Sequence, residues 1–284
     1  MSLWEAILLG LIHGLTEFIP ISSTGQVTIA GQLLDLIDPD RPEQWTAFLA
    51  MLQLGTLAAL LAYFAGDIVR IVRGFALVNL AALTRRAPSD DNRRNARLGW
   101  LVLAGTVPIG VVGLLFRDVI EGDLTKNLWT IAAALVGLAL LLFLAERVGT
   151  RKRGMAQLRW LDAVVVGIAQ VASLIPGSSR SGTTITGGLF SGLQRETAAR
   201  FSFLLAIPAI GASGILQLPE ALRANMPPVT LGIATLVAAA SGYLSIAFLL
   251  RYLQRHSTYL FIVYRIALGV LIVALIVTGA VDAS

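Results

Sequence analysis

Six stretches of the chain, residues 46–66, 98–116, 127–145, 201–219, 229–250 and 258–281, are runs of mostly apolar side chains. Each approaches the roughly 20 residues that a helix needs to cross a hydrocarbon layer. Backbone inside hydrocarbon must satisfy its own hydrogen bonds, which leaves helix bundles and closed barrels. The runs lack the alternation of barrel strands. The expected fold is therefore an all-α integral membrane protein, a single membrane domain over residues 1–284. Composition agrees: only 14% of the residues are charged, against about 25% in soluble domains.

The charges that remain set an orientation. Residues 67–97 hold seven arginines (70, 73, 85, 86, 93, 94 and 97) against Asp67, Asp90 and Asp91. Residues 147–159 hold five Lys or Arg and no acid, and Arg251, Arg255 and His256 form a third basic loop. Loops 117–126 and 220–228 are neutral or acidic. Basic loops belong in the cytoplasm, so the others are expected outside. The net charge of +5 is thus a membrane signature. No interleaved aromatic and basic platform is present, so no nucleic-acid partner is expected. The five tryptophans fall near span ends, as interfacial anchors do. The amphipathic stretch 68–84 either lies on the cytoplasmic surface or spans weakly. The absence of cysteine excludes disulfides and thiolate chemistry. The N-terminus, with Glu5, His13 and Glu17, reads as part of the fold and not as a cleaved signal.

Two segments repeat. IPISSTGQVTIAGQLL starts at Ile19 and IPGSSRSGTTITGGLF at Ile175, and further on AFLAMLQLGTLAAL (47–60) resembles SFLLAIPAIGASGI (202–215). The nearly constant offset predicts an internal repeat, residues 1–150 and 151–284. Span 46–66 ends at a basic loop, whereas its counterpart 201–219 ends at a non-basic one, so the halves should be inverted. That requires each Ile-Pro-x-Ser-Ser segment to add no net crossing. Re-entrant helix-loop-helix segments at about 3–37 and 161–194, with six to eight further membrane helices, satisfy the count.

The loop tips carry the chemistry. Irregular polar backbone at membrane depth is tolerated only inside protein or around a wet cavity, so the two tips should face each other across a pocket. The second offers Arg180, the hydroxyls of Ser178, Ser179, Ser181 and Thr183, and two glycines. An intramembrane arginine is costly and usually functional, and its fork suits a phosphate. Backbone N–H groups and a helix N-terminus complete a phosphate cradle. Its plainer reading is a structural arginine capping helix carbonyls. The first tip offers Glu17, Ser22 and Ser23. Glu17 could act as general base or activate a serine, or it could only clamp Arg180. His13 sits one helical turn before Glu17 on the same face. It could hold a proton, orient Glu17, touch phosphate, or simply pack. The serines could be helix caps. Together these groups point to phosphoryl chemistry or phosphate binding, and the bilayer makes a lipid phosphate the natural substrate.

GLTEFIPISSTGQ and PGSSRSGTTITGGLFSG closely resemble the two signature regions of the bacitracin-resistance (BacA-type) undecaprenyl-diphosphatases. QLGT (53–56), YFAGDIVR (63–70), LGWLVLAGTVPIGVVGLLF (98–116), LLAIPA (204–209) and YRIALG (264–269) match as well, so the resemblance covers essentially the whole chain. It implies hydrolysis of a polyprenyl diphosphate to the monophosphate and inorganic phosphate, recycling the lipid carrier of cell-wall synthesis in a bacterial plasma membrane. It also implies an inverted repeat, a pocket open to the external side, and homodimers. Functional roles carry over to Glu17, Ser23, Ser179 and Arg180, and to Thr184; Ser22, Gln26, Ser178 and Ser181 would help bind phosphate. Mg²⁺ or Ca²⁺ is implied, with Glu17 as its ligand, and no organic cofactor. Two positions depart. His13 stands where the family has Glu or Gln, and Gln26 stands where it has His. A rival reading uses the same pocket in a lipid-phosphate flippase or transporter, which would bind and release without chemistry.

Overall fold

The computed structural model describes residues 1–37, 42–84, 87–116, 127–223, 227–279 and 281. Among them run eleven α-helices: α1 Leu3–Phe18, α2 Ser23–Leu33, α3 Pro42–Tyr63, α4 Ala65–Thr84, α5 Asp90–Leu115, α6 Leu128–Val148, α7 Trp160–Val171, α8 Arg180–Phe190, α9 Arg195–Arg223, α10 Pro228–Arg255 and α11 Tyr259–Val277. Six of them, α3, α5, α6, α9, α10 and α11, are long and apolar enough to cross a membrane. The helix α4, over the amphipathic stretch 68–84, is not among these. Arg85, Arg86 and the loop 117–126 lie outside the described residues.

The two Ile-Pro segments fold alike. The helix α1 opens on a capping box, with the Glu5 backbone N–H donating to Ser2 Oγ and the Ser2 N–H donating to the Glu5 carboxylate. It stops where Ile19 takes an extended conformation ahead of Pro20, as residues preceding proline favour. Ser22 then adopts a left-handed conformation and α2 begins. In the second segment α7 passes through a 3₁₀ turn at Ala172–Leu174, and Ile175 is extended ahead of Pro176. Gly177 and Ser179 have positive φ, and α8 begins with the Ser179 hydroxyl accepting from the Gly182 N–H. At 16 and 11 residues, α1 and α2 measure about 24 and 17 Å, each short of a roughly 30 Å hydrocarbon layer.

Packing follows a corresponding pattern in the two parts. The helix α1 packs on α10, which also packs on α3; α7 packs on α5, which also packs on α9. Both short-helix contacts rely on glycine. A Cβ at Gly10 would lie 2.5 Å from the Ala234 carbonyl oxygen on α10, and one at Gly167 would lie 2.5 Å from that of Gly105 on α5. Small residues at such crossings let backbones approach closely. Gly14 is the tightest, with a Cβ there only 2.0 Å from Ser241 Oγ. Gly31, near the end of α2, faces the Trp45 ring at the start of α3.

The basic segments gather at one end of the bundle. Asp67 pairs with Arg200 at 2.7 Å, and Arg97 donates to the Leu158 carbonyl at 2.9 Å. Arg153 makes two bonds to Asp162, at 2.6 and 2.7 Å, and bridges to Leu193 after α8. Buried Glu146 accepts from Arg151, Arg195 and the Thr258 hydroxyl. Isolated buried charge is expensive, so these acids are each surrounded by donors.

Candidate active site

The break after α1 and the break before α8 touch. Arg180, the first residue of α8, donates through Nη2 to Glu17 Oε1 near the end of α1. Ser23, the first residue of α2, donates through Oγ to the other oxygen, Oε2. The Ser181 hydroxyl donates to the Ile19 carbonyl at 3.1 Å, a second link between the turns. The Glu17 side chain is 7% exposed and that of Arg180 18%, so the guanidinium is the more open of the pair. Phe18 is buried against Phe203, ring centroids 5.4 Å apart, which anchors the residue next to Glu17. A carboxylate, a hydroxyl hydrogen-bonded to it and a cation therefore share one small volume made from both segments.

His13 Nε2 lies 3.9 Å from Glu17 Oε2, and the ring is 2% exposed. Both ring nitrogens are buried and have no hydrogen-bond partner among the described residues. The ring lines a cavity of about 200 Å³ with Thr24, Thr46, Gln53, Ser213 and Gln217. A water occupies about 30 Å³ of liquid volume, so the cavity has room for several. Imidazole thus stands between Glu17 and a small polar chamber, able to pass a proton or orient water.

The remaining residues of the two motifs divide. The Ser179 hydroxyl caps α8 and lies 3.1 Å from Ser181 Oγ. The Ser178 hydroxyl is buried without a partner. Ser22 is buried at the left-handed turn and caps nothing with its side chain. Thr183 and Thr184 donate to the Arg180 carbonyl, at 3.0 and 2.7 Å. Thr184 is fully buried and its hydroxyl also lies 2.5 Å from Ser202, so it braces the first turn of α8. Gln26 does not join the cluster: its amide donates to the Tyr264 hydroxyl at 2.8 Å and to the Ile21 carbonyl.

One residue of the site went unsingled in the sequence. Arg265 on α11 is 1% exposed. Its guanidinium donates to the Ser178 carbonyl at 3.0 Å and the Gly177 carbonyl at 3.2 Å in one turn, and to the Pro20 carbonyl at 3.4 Å in the other. It also reaches the carbonyls of Leu135 and Ala134 on α6. A Cβ at Gly182 would come within 2.7 Å of its Nη1. The signal was available: Arg265 is a lone charge inside the apolar run 258–281, where charge is costly and seldom idle.

The donor set speaks to a metal. Glu17 is the one carboxylate here and both its oxygens are engaged. Among the described residues no three His, Cys, Asp or Glu side chains cluster to hold an ion. The residues fit a divalent cation only as one that arrives on the oxygens of a bound diphosphate, as Mg²⁺ commonly does.

Comparison with known proteins identifies the family. A family model described as bacitracin resistance protein BacA matches residues 6–271. A protein of Syntrophobacter fumaroxidans named undecaprenyl-diphosphatase is 51% identical over 271 residues, 95% of this chain and 95% of its own length. Proteins of the same name from Chlorobium phaeovibrioides and Myxococcus xanthus are 49% and 47% identical, each over 98% of this chain, covering 99% and 91% of their own lengths. Matching over nearly its whole length, the chain belongs to the BacA family of undecaprenyl-diphosphatases.

Proposed function

We infer that the Glu17–Arg180 pair marks the reaction centre of an undecaprenyl-diphosphatase, which hydrolyses undecaprenyl diphosphate to the monophosphate and inorganic phosphate. The observation that carries this is the shared carboxylate: Glu17 binds the cation of one turn and the hydroxyl of the other. An arriving diphosphate competes with Glu17 for Arg180, since the guanidinium fork suits two phosphate oxygens. Glu17 is then free to take the Ser23 proton. Ser23 Oγ attacks the terminal phosphorus as the bond to the bridging oxygen breaks, and the lipid monophosphate leaves. Water from the chamber beside His13 cleaves the phosphoserine, releasing inorganic phosphate and returning the proton. Direct attack by that water, with Glu17 and His13 as bases, uses the same groups, and the chamber on the far side of His13 favours considering it. A Mg²⁺ or Ca²⁺ ion held by Glu17 and the diphosphate oxygens would supply further charge neutralisation.

The proposed architecture is an inverted repeat with two re-entrant segments, repeat one 1–150 and repeat two 151–284. Corresponding packing supports it: α1 on α10 matches α7 on α5, and α3 on α10 matches α9 on α5. So do the ends. Gly31 after the first turn sits on Trp45, at the non-basic end of α3, whereas Leu193 after the second sits on Arg153, at the basic end. The basic end faces the cytoplasm of a bacterial plasma membrane. The chamber beside His13 extends to Thr46 and Gln217, toward the opposite end, so the centre opens outward.

The test is phosphate release from undecaprenyl diphosphate by the purified, detergent-solubilised protein, with and without Mg²⁺ or Ca²⁺. Glu17→Ala and Arg180→Ala should each lose about a thousandfold or more of turnover, the scale of removing a positioned charge from a transition state. Ser23→Ala separates the nucleophiles: a comparable loss supports the serine, and retained turnover points to direct water attack. Wild-type protein that binds the lipid and releases no phosphate would overturn the assignment in favour of transport.

A further inference from the structure

The first turn of α2 carries polar side chains that leave the helix in different directions. Ser23 meets Glu17, and Thr24 lines the chamber beside His13. Gln26 stands about 200° around the helix axis from Thr24, on the side away from that chamber. There its amide donates to the Tyr264 hydroxyl of α11 at 2.8 Å and to the Ile21 carbonyl at 3.4 Å. The Tyr264 oxygen thus serves as an acceptor, while its own proton has no acceptor among the described residues.

Tyr264 stands at the depth of the reaction centre, since its neighbour Arg265 binds carbonyls of both turns. At 19 residues, about 29 Å, α11 needs its whole length to cross a roughly 30 Å layer. Its sixth residue therefore lies inside the hydrocarbon. The Tyr264 ring is nonetheless 42% exposed, beside Leu260 and Val263 at 57% and 65%. The outer face of a span meets lipid, not water. A hydroxyl proton without an acceptor is costly there, which points to a ligand that brings an acceptor with it. Ser23 and Gln26 are three residues apart on α2, with about 5–6 Å between Cβ atoms. The free proton is thus within reach of a diphosphate whose terminal phosphorus stands at the Ser23 hydroxyl.

We propose that Tyr264 binds the lipid-side phosphate of the diphosphate. The assignment rests on the Glu17–Arg180 centre proposed above for hydrolysis. With the terminal phosphate on Arg180 and Ser23, the phosphate that carries the prenyl chain extends toward Gln26 and accepts a hydrogen bond from the Tyr264 hydroxyl. The chain then runs over Leu260 and Val263 into the bilayer. Gln26 holds the tyrosine oxygen by its lone pair, so the proton is turned to the phosphate. Water reaches the centre from the chamber on the opposite side of α2, and the lipid departs on the Tyr264 side. That separation suits a displacement in which the attacking and leaving oxygens stand roughly in line. The lipid monophosphate keeps this phosphate, so the contact also holds the product.

The full-length, detergent-solubilised protein is titrated calorimetrically with inorganic phosphate alone, and with farnesyl monophosphate while inorganic phosphate saturates the terminal position. Tyr264→Phe removes only the hydroxyl. It should weaken farnesyl monophosphate about tenfold or more, the scale of one hydrogen bond to a charged group. It should leave the Kd of inorganic phosphate within about twofold of wild type, which also shows that the variant is folded. The KM for undecaprenyl diphosphate should rise by a factor similar to the loss of farnesyl monophosphate affinity. Unchanged affinity for farnesyl monophosphate in Tyr264→Phe would overturn the proposal. An equal loss for both ligands would make Tyr264 a brace for the Ser23 turn, and would overturn it too. So would a loss that farnesol shares, which would set Tyr264 against the chain and not the phosphate. Wild-type protein that binds both ligands and releases no phosphate would overturn hydrolysis and not the Tyr264 contact, so the two failures are told apart.

Discussion

Glu17 serves two partners at once, and His13 is the neighbour without one. The imidazole lies 3.9 Å from Glu17 Oε2 with both nitrogens buried and unpartnered. Leaving such a group unsatisfied costs about 1–3 kcal/mol, so either water in the adjoining chamber or the substrate completes it. His13→Ala should therefore lower kcat by about tenfold to a hundredfold, the range of one proton-transfer group, while leaving the folded protein intact. Steady-state phosphate release measures it, and an unchanged kcat would make His13 a packing residue. The cluster was legible because polar side chains in hydrocarbon are conspicuous: Glu17, Ser23 and Arg180 stand out against Leu, Ile and Ala. What local sequence could not give was the partner of each. Gln26 follows a Ser-Ser-Thr-Gly turn, and its amide donates to Tyr264, 238 positions away. Thr184 sits in the second motif, and its hydroxyl meets that of Ser202, 18 positions on.

At the scale of elements, the site is two turns held at fixed spacing, and Arg265 does the holding. Each turn contains a serine with positive φ, Ser22 at 71° and Ser179 at 64°, a region that costs a non-glycine residue about 1–3 kcal/mol unless its surroundings enforce it. Arg265 accounts for carbonyls in both turns that would otherwise be buried without donors. Lysine can present a charge but not the planar fork. Arg265→Lys should thus fold, keep KM within a few-fold and lose about tenfold or more in kcat, because misplacing reacting groups by about 1 Å can cost a hundredfold. Parallel loss of kcat and thermal stability in the lysine variant would reduce Arg265 to a packing role. The α1–α10 crossing makes a complementary case. Gly14→Val would drive a branched Cβ to within 2.0 Å of Ser241 Oγ, and overpacking of this kind costs about 1–3 kcal/mol or more, visible as a lower melting temperature in detergent. The spans themselves were readable from hydropathy, since lipid leaves the backbone little choice. The helix α4 was not, because 20 residues of mixed character suit a surface helix and a weak span equally, and local sequence does not show that it packs along α5.

At the scale of the whole molecule, the distribution of charge and the direction of the short helices make one claim about sidedness. Asp67, Arg97, Arg153 and Glu146 are cross-linked at one end, and the helices that run there from the other end begin in segments with little net charge. In the first segment α1 runs beside α10 in the same direction, with Gly10 at Ala234 and Gly14 at Ser241. It therefore descends from the non-basic end to Glu17. The second segment rises from the basic end to Arg180, and the two meet between the faces. If the positive-inside rule holds for this chain, the polar chamber beside His13 communicates with the exterior and phosphate is released there. Single cysteines decide the matter, since the chain has none of its own. On intact cells, Pro227→Cys at the start of α10 should react with a membrane-impermeant maleimide, whereas Lys152→Cys in the basic loop should react only after lysis. Phosphate from externally supplied lipid diphosphate should appear outside the same cells. The reverse labelling pattern would turn the molecule over and, with it, the side on which the diphosphate is consumed.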